Sequence, residues 1–454
     1  MRKRWKTGLA GAALMSISVF GIGGGTVTAL AAGSAVSPLV QVVKVAFTQA
    51  PTTSQCEAQI GIACYSPVQI EKAYNMPSLY KKDLTGTGET IALIDSFGSP
   101  TIASDLATFD ATFGLPAPPS FKIIQPVGKV RPYNPKNALM VDWAEETSLD
   151  VEYSHAMAPG ANILLVETPV AETIGVQGFP GIVKAENYII NHHMVDVISQ
   201  SLAAAEASFP SAQSILNLRS AFVNADEHNV TVLGAAGDWG ASSPSDASES
   251  SYYTFRTANW PASDPLVTAV GGTQLHLNNA GVRTMPDNVW NDSDLLGAPV
   301  AGGGTASDVF PRPNYQDGVE GVVGDHRGVP DISMSAAVDG GVLVYWSFGG
   351  LPAGLYIVGG TSEATPLFSG IVAIADQAAG HDLGLLNPAL YTLAEAGAPG
   401  IVPISTGDNT VSFEQGGKDY TVKGYVADGG YTMATGVGTA NGAALVSELA
   451  GSGK

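Results

Sequence analysis

Residues 143–167 read WAEETSLDVEYSHAMAPGANILLVE. The first part, 143–157, has no helix breaker and carries apolar residues at helical spacing. Ala158-Pro159-Gly160 stops it, and Ala161 to Glu167 is an apolar run suited to a strand buried on both faces. A helix that feeds directly into such a strand is half of a βαβ unit. Working outward, the apolar runs Thr90 to Asp95, Phe121 to Ile124, Val195 to Ser199, Val230 to Ala236 and Leu266 to Val270 alternate with helical patterns near 101–113, 180–193 and 211–228. That alternation predicts an α/β fold built on a parallel sheet. The stretch 280–360 is rich in Gly, Pro and Asp and predicts loops and short strands, followed by a helix from Ser362 through Ile374 and another over 386–396. No fixed-period repeat and no dividing linker occurs, so a single large domain over 65–454 is expected.

The amino-terminal end is of a different kind. Arg2, Lys3, Arg4 and Lys6 precede an apolar stretch from Leu9 to Ile22 and then Ala29-Leu30-Ala31, the order of a secretory signal, so 1–31 is expected to be removed and the protein secreted. Residues 32–64 lack clear periodicity and read as a short leader ending in a disulfide loop. The two cysteines, Cys56 and Cys64, form an even count in an exported chain and are expected to pair. Without the signal the chain has 17 basic against 41 acidic residues, a formal charge of −24. Such a surface excludes nucleic acid as a natural partner and sheds much of its self-repulsion in acid. No later segment is apolar enough to span a bilayer, so no membrane association is expected after signal removal, and the protein is expected to be a monomer.

Three segments carry chemistry. In Val358-Gly359-Gly360-Thr361-Ser362-Glu363-Ala364-Thr365-Pro366, two glycines allow a sharp turn and Ser362 falls in the first turn of an apolar helix. There its hydroxyl and nearby N–H groups face a region where negative charge is stabilised. A serine nucleophile needs a base, and none of the seven histidines stands in a His-Gly-Thr setting. Helix 143–157 offers carboxylates instead: Asp142, Glu146 and Asp150 form one i, i+4 stripe with no Lys or Arg among them. Like charges at that spacing cost about 0.2–0.5 kcal/mol per pair, so something must compensate. Finally, Thr231 to Ala236 ends in Gly237-Asp238, placing Asp238 at the carboxyl edge of a parallel sheet.

These segments resemble the sedolisin (serine-carboxyl peptidase) family of the subtilisin-like clan. The string G-G-T-S-x-x-x-P-x-x-x-G is similar to its nucleophile segment, E-x-x-L-D before A-P-G-A to its base segment, and A-A-G-D-x-G to its oxyanion segment. The resemblance covers most of 65–454 and implies a subtilisin-like parallel sheet with helices on both faces. It also implies Ser362 as nucleophile, Glu146 as base, Asp150 behind it and Asp238 in the oxyanion hole, acting as an endopeptidase in acid. Asp95 is read as scaffold. The family's long prosegment has no counterpart expected between Ala31 and Ser66. The positions matching the family's calcium-binding aspartates are Pro403 and Thr432, which cannot supply anionic oxygen, so no metal site is expected and the chemistry requires no cofactor. The competing readings are a subtilisin-like peptidase using Asp95, His155 and Ser362, and a secreted binding protein that kept the fold without catalysis.

Overall fold

The computed structural model describes residues 35–452. Its centre is a ten-stranded sheet. Eight of its strands run parallel in the spatial order 439–440, 332–335, 268–274, 231–235, 197–200, 90–96, 162–168 and 121–124. Two short strands, 401–402 and 288–289, add antiparallel edges. The strands Thr90–Ser96 and Asn162–Thr168 are buried for nearly their whole length, as their unbroken apolar runs require. Most predicted elements appear within a few residues, except that the 211–228 pattern divides into helices Ala212–Leu216 and Ser220–Glu227. The strand after Leu266 also runs on through Gly271 and Gly272 to Gln274. A Cβ at Gly272 would meet Trp290 and Ala336, so these glycines keep the strand because neighbours occupy the side-chain space.

Two long helices, Ala138–Met157 and Thr361–Ala379, lie against each other beneath the sheet. Gly370 sits at their contact, where a Cβ would collide with Met157. That glycine is the last letter of the string that begins at Gly359, and its role is close approach of two backbones.

The described part of 32–64 is packed into the domain. Gln41–Phe47 is a strand antiparallel to Gly354–Gly359, within a four-stranded sheet completed by Gly341–Trp346 and Cys64–Tyr65. Thr53–Ile60 is a helix, begun by a capping box between Thr52 and Gln55 and ended by Gly61 at φ 82°. Cys56 and Cys64 are joined as expected, with Cα atoms 5.9 Å apart. The segment 1–31, read as a signal, lies outside the described residues. Among the described residues no helix is long and apolar enough to cross a membrane.

Candidate active site

The neighbouring strands 90–96, 197–200 and 231–235 end at one edge of the sheet, and each delivers a polar group there: Asp95, Ser201 and Asp238. The two long helices bring Glu146, Asp150 and Ser362 to the same edge. All six residues are buried, with Glu146, Asp150, Asp238 and Ser362 having no exposed surface. Carboxyl ends of parallel strands are where open α/β sheets build their sites.

Glu146 interacts with the Ser362 hydroxyl, yet neither Glu146 oxygen nor Ser362 Oγ forms a well-directed hydrogen bond within the chain. Catalytic hydrogen bonds commonly tighten only once substrate is bound. Burial raises the Glu146 carboxyl well above its ordinary range. The Ser362 hydroxyl pulls it back, Asp95 and Asp238 raise it further, and Ser201 lowers it. Asp150 accepts a hydrogen bond from Ser201 Oγ at 3.0 Å. Its carboxyl is also raised well above the usual range, by burial first and then by Asp95 and Glu146. Protons held by desolvation therefore offset the like-charge repulsion along this stripe. Asp142 stands apart at the rim, accepting a hydrogen bond from Ser37 Oγ at 2.8 Å.

Asp238 reaches the nucleophile's turn directly. Its Oδ1 accepts from the Thr361 N–H and the Thr361 hydroxyl, both at 2.8 Å. Its Oδ2 faces Gly360, whose φ of 117° and missing Cβ leave room for that oxygen. Burial pushes the Asp238 carboxyl up to about 7 against the opposing Thr361 and Gln41 hydrogen bonds. With Oδ1 accepting both Thr361 donors, Oδ2, which Gln41 Nε2 approaches at 3.5 Å, is the oxygen left to carry a proton for donation. Ser362 is the second residue of its helix, where a backbone N–H has no acceptor within the helix.

Asp95, read from sequence as scaffold, belongs to this cluster. Desolvation and then Glu167 push its carboxyl up to about 8, against a Thr147 hydrogen bond, and it in turn raises both Glu146 and Asp150. Its place at the end of a buried strand was the available signal. Ser201 and Thr361 carried none. His155 is elsewhere: its Nε2 lies 2.8 Å from the Pro116 carbonyl and 3.3 Å from Asp110 Oδ1, so it does not serve Ser362.

At the positions matched by sequence to the family's calcium ligands, Thr432 Oγ1 meets Thr435 Oγ1 at 3.4 Å, and the Gly429 N–H donates to the Ile404 carbonyl at 3.0 Å. Asp408 and Asp428 are engaged in local turns with Thr410 and Gly430.

A parallel sheet with a serine at a helix start and buried carboxyls around it defines a subtilisin-type α/β architecture. The subtilase family model (peptidase S8) matches residues 141–416, and the chain belongs to this family, in its sedolisin group. It is 30% identical over 400 residues to kumamolisin of Bacillus sp. strain MN-32, covering 85% of this chain and 63% of that one. Sedolisin of Pseudomonas sp. strain 101 is 29% identical over 357 residues, covering 78% and 57%. Tripeptidyl-peptidase sed4 of Aspergillus fumigatus is 26% identical over 393 residues, covering 80% and 60%. The chain thus spans less than two thirds of the length of these relatives. The solved structure of the Pseudomonas sedolisin, a serine-carboxyl proteinase complexed with two molecules of pseudo-iodotyrostatin, superposes with a TM-score of 0.70 at 27% identity. That match covers 87% of this chain and all of that one.

Proposed function

We propose that this protein is a secreted serine-type endopeptidase that cleaves polypeptides in acid. The observation that carries this reading is the burial of Glu146 beside the Ser362 hydroxyl, with Asp150 behind it and His155 committed elsewhere. Ser362 Oγ attacks the scissile carbonyl carbon. Glu146 takes its proton and returns it to the leaving amine as the C–N bond breaks. Water then attacks the ester carbon, Glu146 accepts the water's proton and passes it to Ser362 Oγ as the C–O bond breaks, and the acid product and free serine are released. Asp150 is the positioning residue: it holds Glu146 through a shared proton and is itself held by Ser201. The Ser362 N–H and a protonated Asp238 receive the oxyanion.

Acid operation follows from this set. Asp238 donates only while protonated, Glu146 accepts only while ionised, and interacting carboxyls lose their protons as a coupled group. Secretion rests on the 1–31 signal pattern, and monomeric action without nucleic acid or membrane rests on the acidic composition. No cofactor enters any step, and Pro403 and Thr432, at the positions matched to the family's calcium ligands, supply no anionic oxygen.

The test is hydrolysis of casein in acid by the full chain and by Ser362→Ala. The wild type digests it and the variant, with an unchanged melting profile, does not. Equal activity in the variant contradicts the reading.

A further inference from the structure

The helix Asn387–Glu395 and the 3₁₀ helix Asn314–Val319 enclose a cavity of about 440 Å³. Three tyrosines wall it in a row: the Tyr315 and Tyr391 ring centroids are 5.4 Å apart, and those of Tyr391 and Tyr431 are 5.5 Å apart. Each hydroxyl is turned into the protein. Tyr315 donates to the Pro265 carbonyl at 2.9 Å, Tyr391 to Asp331 Oδ1 at 3.0 Å and Tyr431 to the Pro330 carbonyl at 3.4 Å. These acceptors stand just before the parallel strands Thr268–Gln274 and Ile332–Ser335, so the cavity lies at the amino ends of the strands, whereas Ser362 works at their carboxyl ends. With the hydroxyls committed, what the tyrosines offer the cavity is fixed ring surface.

Charge stands on both sides of this wall. Behind it, the buried Arg327 guanidinium lies 5.7 Å from the Tyr315 ring centroid, and Asp331 matches its charge through hydrogen bonds of 2.6 and 2.5 Å. At the mouth are two acids. Asp317 is shared with Arg312, 3.1 Å away, but Glu395 pairs with no lysine or arginine among the described residues. Its carboxylate reaches from the helix toward the facing wall, with Oε2 3.9 Å from where a Cβ on Gly318 would stand.

We infer that this cavity is a second binding site, for a lysine side chain of a polypeptide, with the alkyl stem laid on the tyrosine rings and the ammonium held at Glu395. Ring faces attract cations, and lysine buries its stem along apolar surface while its charged head stays at a wet rim. An anion would meet Glu395 and Asp317 at the mouth, and an uncharged side chain would leave the Glu395 carboxylate desolvated without a partner. The excess of acidic over basic residues in the chain draws a ligand of the same positive sign. Because the cavity and Ser362 lie at opposite ends of the strands, a polypeptide held here leaves the catalytic edge open.

The test is titration of the full chain, carrying Ser362→Ala so that no probe is cut, with the Nα-acetyl amides of lysine, norleucine and glutamate at about pH 6 and low salt. The lysine probe saturates one site, and the other two bind at least about tenfold more weakly. Glu395→Gln weakens the lysine probe by about tenfold or more. Thr392→Arg, which extends a cationic side chain from the cavity lining, removes its binding, and Glu57→Gln, at an exposed acid on another helix, changes nothing. Thr392 and Glu395 are both exposed, so the variants keep the melting profile of the parent. A norleucine probe as tight as lysine, a lysine affinity unmoved by Glu395→Gln, an equal loss in Glu57→Gln, or no saturable binding of the lysine probe overturns the inference. Each of these outcomes is independent of the chemistry at Ser362.

Discussion

Ser154 Oγ and Ser369 Oγ lie 3.0 Å apart in the buried seam between the two long helices. Ser154 follows Glu146 by eight residues and Ser369 follows Ser362 by seven, so each lies about two turns beyond its chemical partner. The bond, together with Gly370 against Met157, sets how far one helix can slide along the other, and therefore where the base stands relative to the nucleophile. Gly370→Ala forces a Cβ into Met157. Overpacking of this kind costs about 1–3 kcal/mol. The expected outcome is a lowered Tm in calorimetry together with a lowered kcat, because the helices separate at the level that aligns Glu146 and Ser362. A variant as active and as stable as wild type would show that the seam does not fix the site.

The two Thr361 donors on Asp238 Oδ1 make Asp238→Asn an informative change. An amide keeps the acceptor and presents a permanent N–H donor where the acid needs a proton. Loss of one oxyanion donor costs about 10²–10³ in kcat. Asp238→Ala is expected to lose that much at every acidic pH. Asp238→Asn should retain more of the activity and lose less of it as pH rises toward 7. Steady-state kinetics on one peptide decides this, and equal losses in the two variants would remove Asp238 from the oxyanion site.

Buried acids also set the pH dependence of stability. Burial pushes Asp95, Glu172 and Glu186 up to about 8, with Glu167 adding to the first, and pushes Asp238 up to about 7. Unfolded carboxyls titrate near about 4. Between these values the folded chain holds more protons than the unfolded one, so stability falls as pH rises. The expected result is a Tm that is highest near about pH 4 and declines steadily toward about pH 8, the reverse of ordinary acid lability. A Tm that rises over that range at constant ionic strength contradicts the assignment of buried neutral acids.

Calcium dependence should be absent. A ligand that binds only the folded state raises its stability by mass action. With Pro403 and Thr432 at the ligand positions, adding calcium or a chelator is expected to leave Tm and activity unchanged. A calcium-dependent rise in Tm would show that Asp408 or Asp428 has been recruited.

Much of this was legible in the chain. Ser362, Glu146, Asp150 and Asp238 lie in short local patterns, and the parallel sheet followed from unbroken apolar runs such as Asn162–Thr168. Asp95 entered the site only in the competing subtilisin-like reading, because an acid at a strand end looks the same whether or not two other acids converge on it. Gln41–Phe47 was missed for a different reason. Its partner strand is some 300 residues away at 354–359, and half-burial along an edge leaves no clear alternation to read. The continuation of strand 268–274 through Gly271-Gly272 depended on Trp290 and Ala336, which local sequence could not supply.

The most direct test of the central claim is the pH dependence of kcat/KM for one peptide, measured for wild type and Glu146→Gln. A carboxyl base with a protonated acid in the oxyanion site predicts a wild-type maximum in acid with activity falling away above about pH 6. The glutamine variant should be slower by about 10²–10⁴ throughout. A neutral or alkaline maximum, or a glutamine variant as fast as wild type, would contradict proton transfer through Glu146.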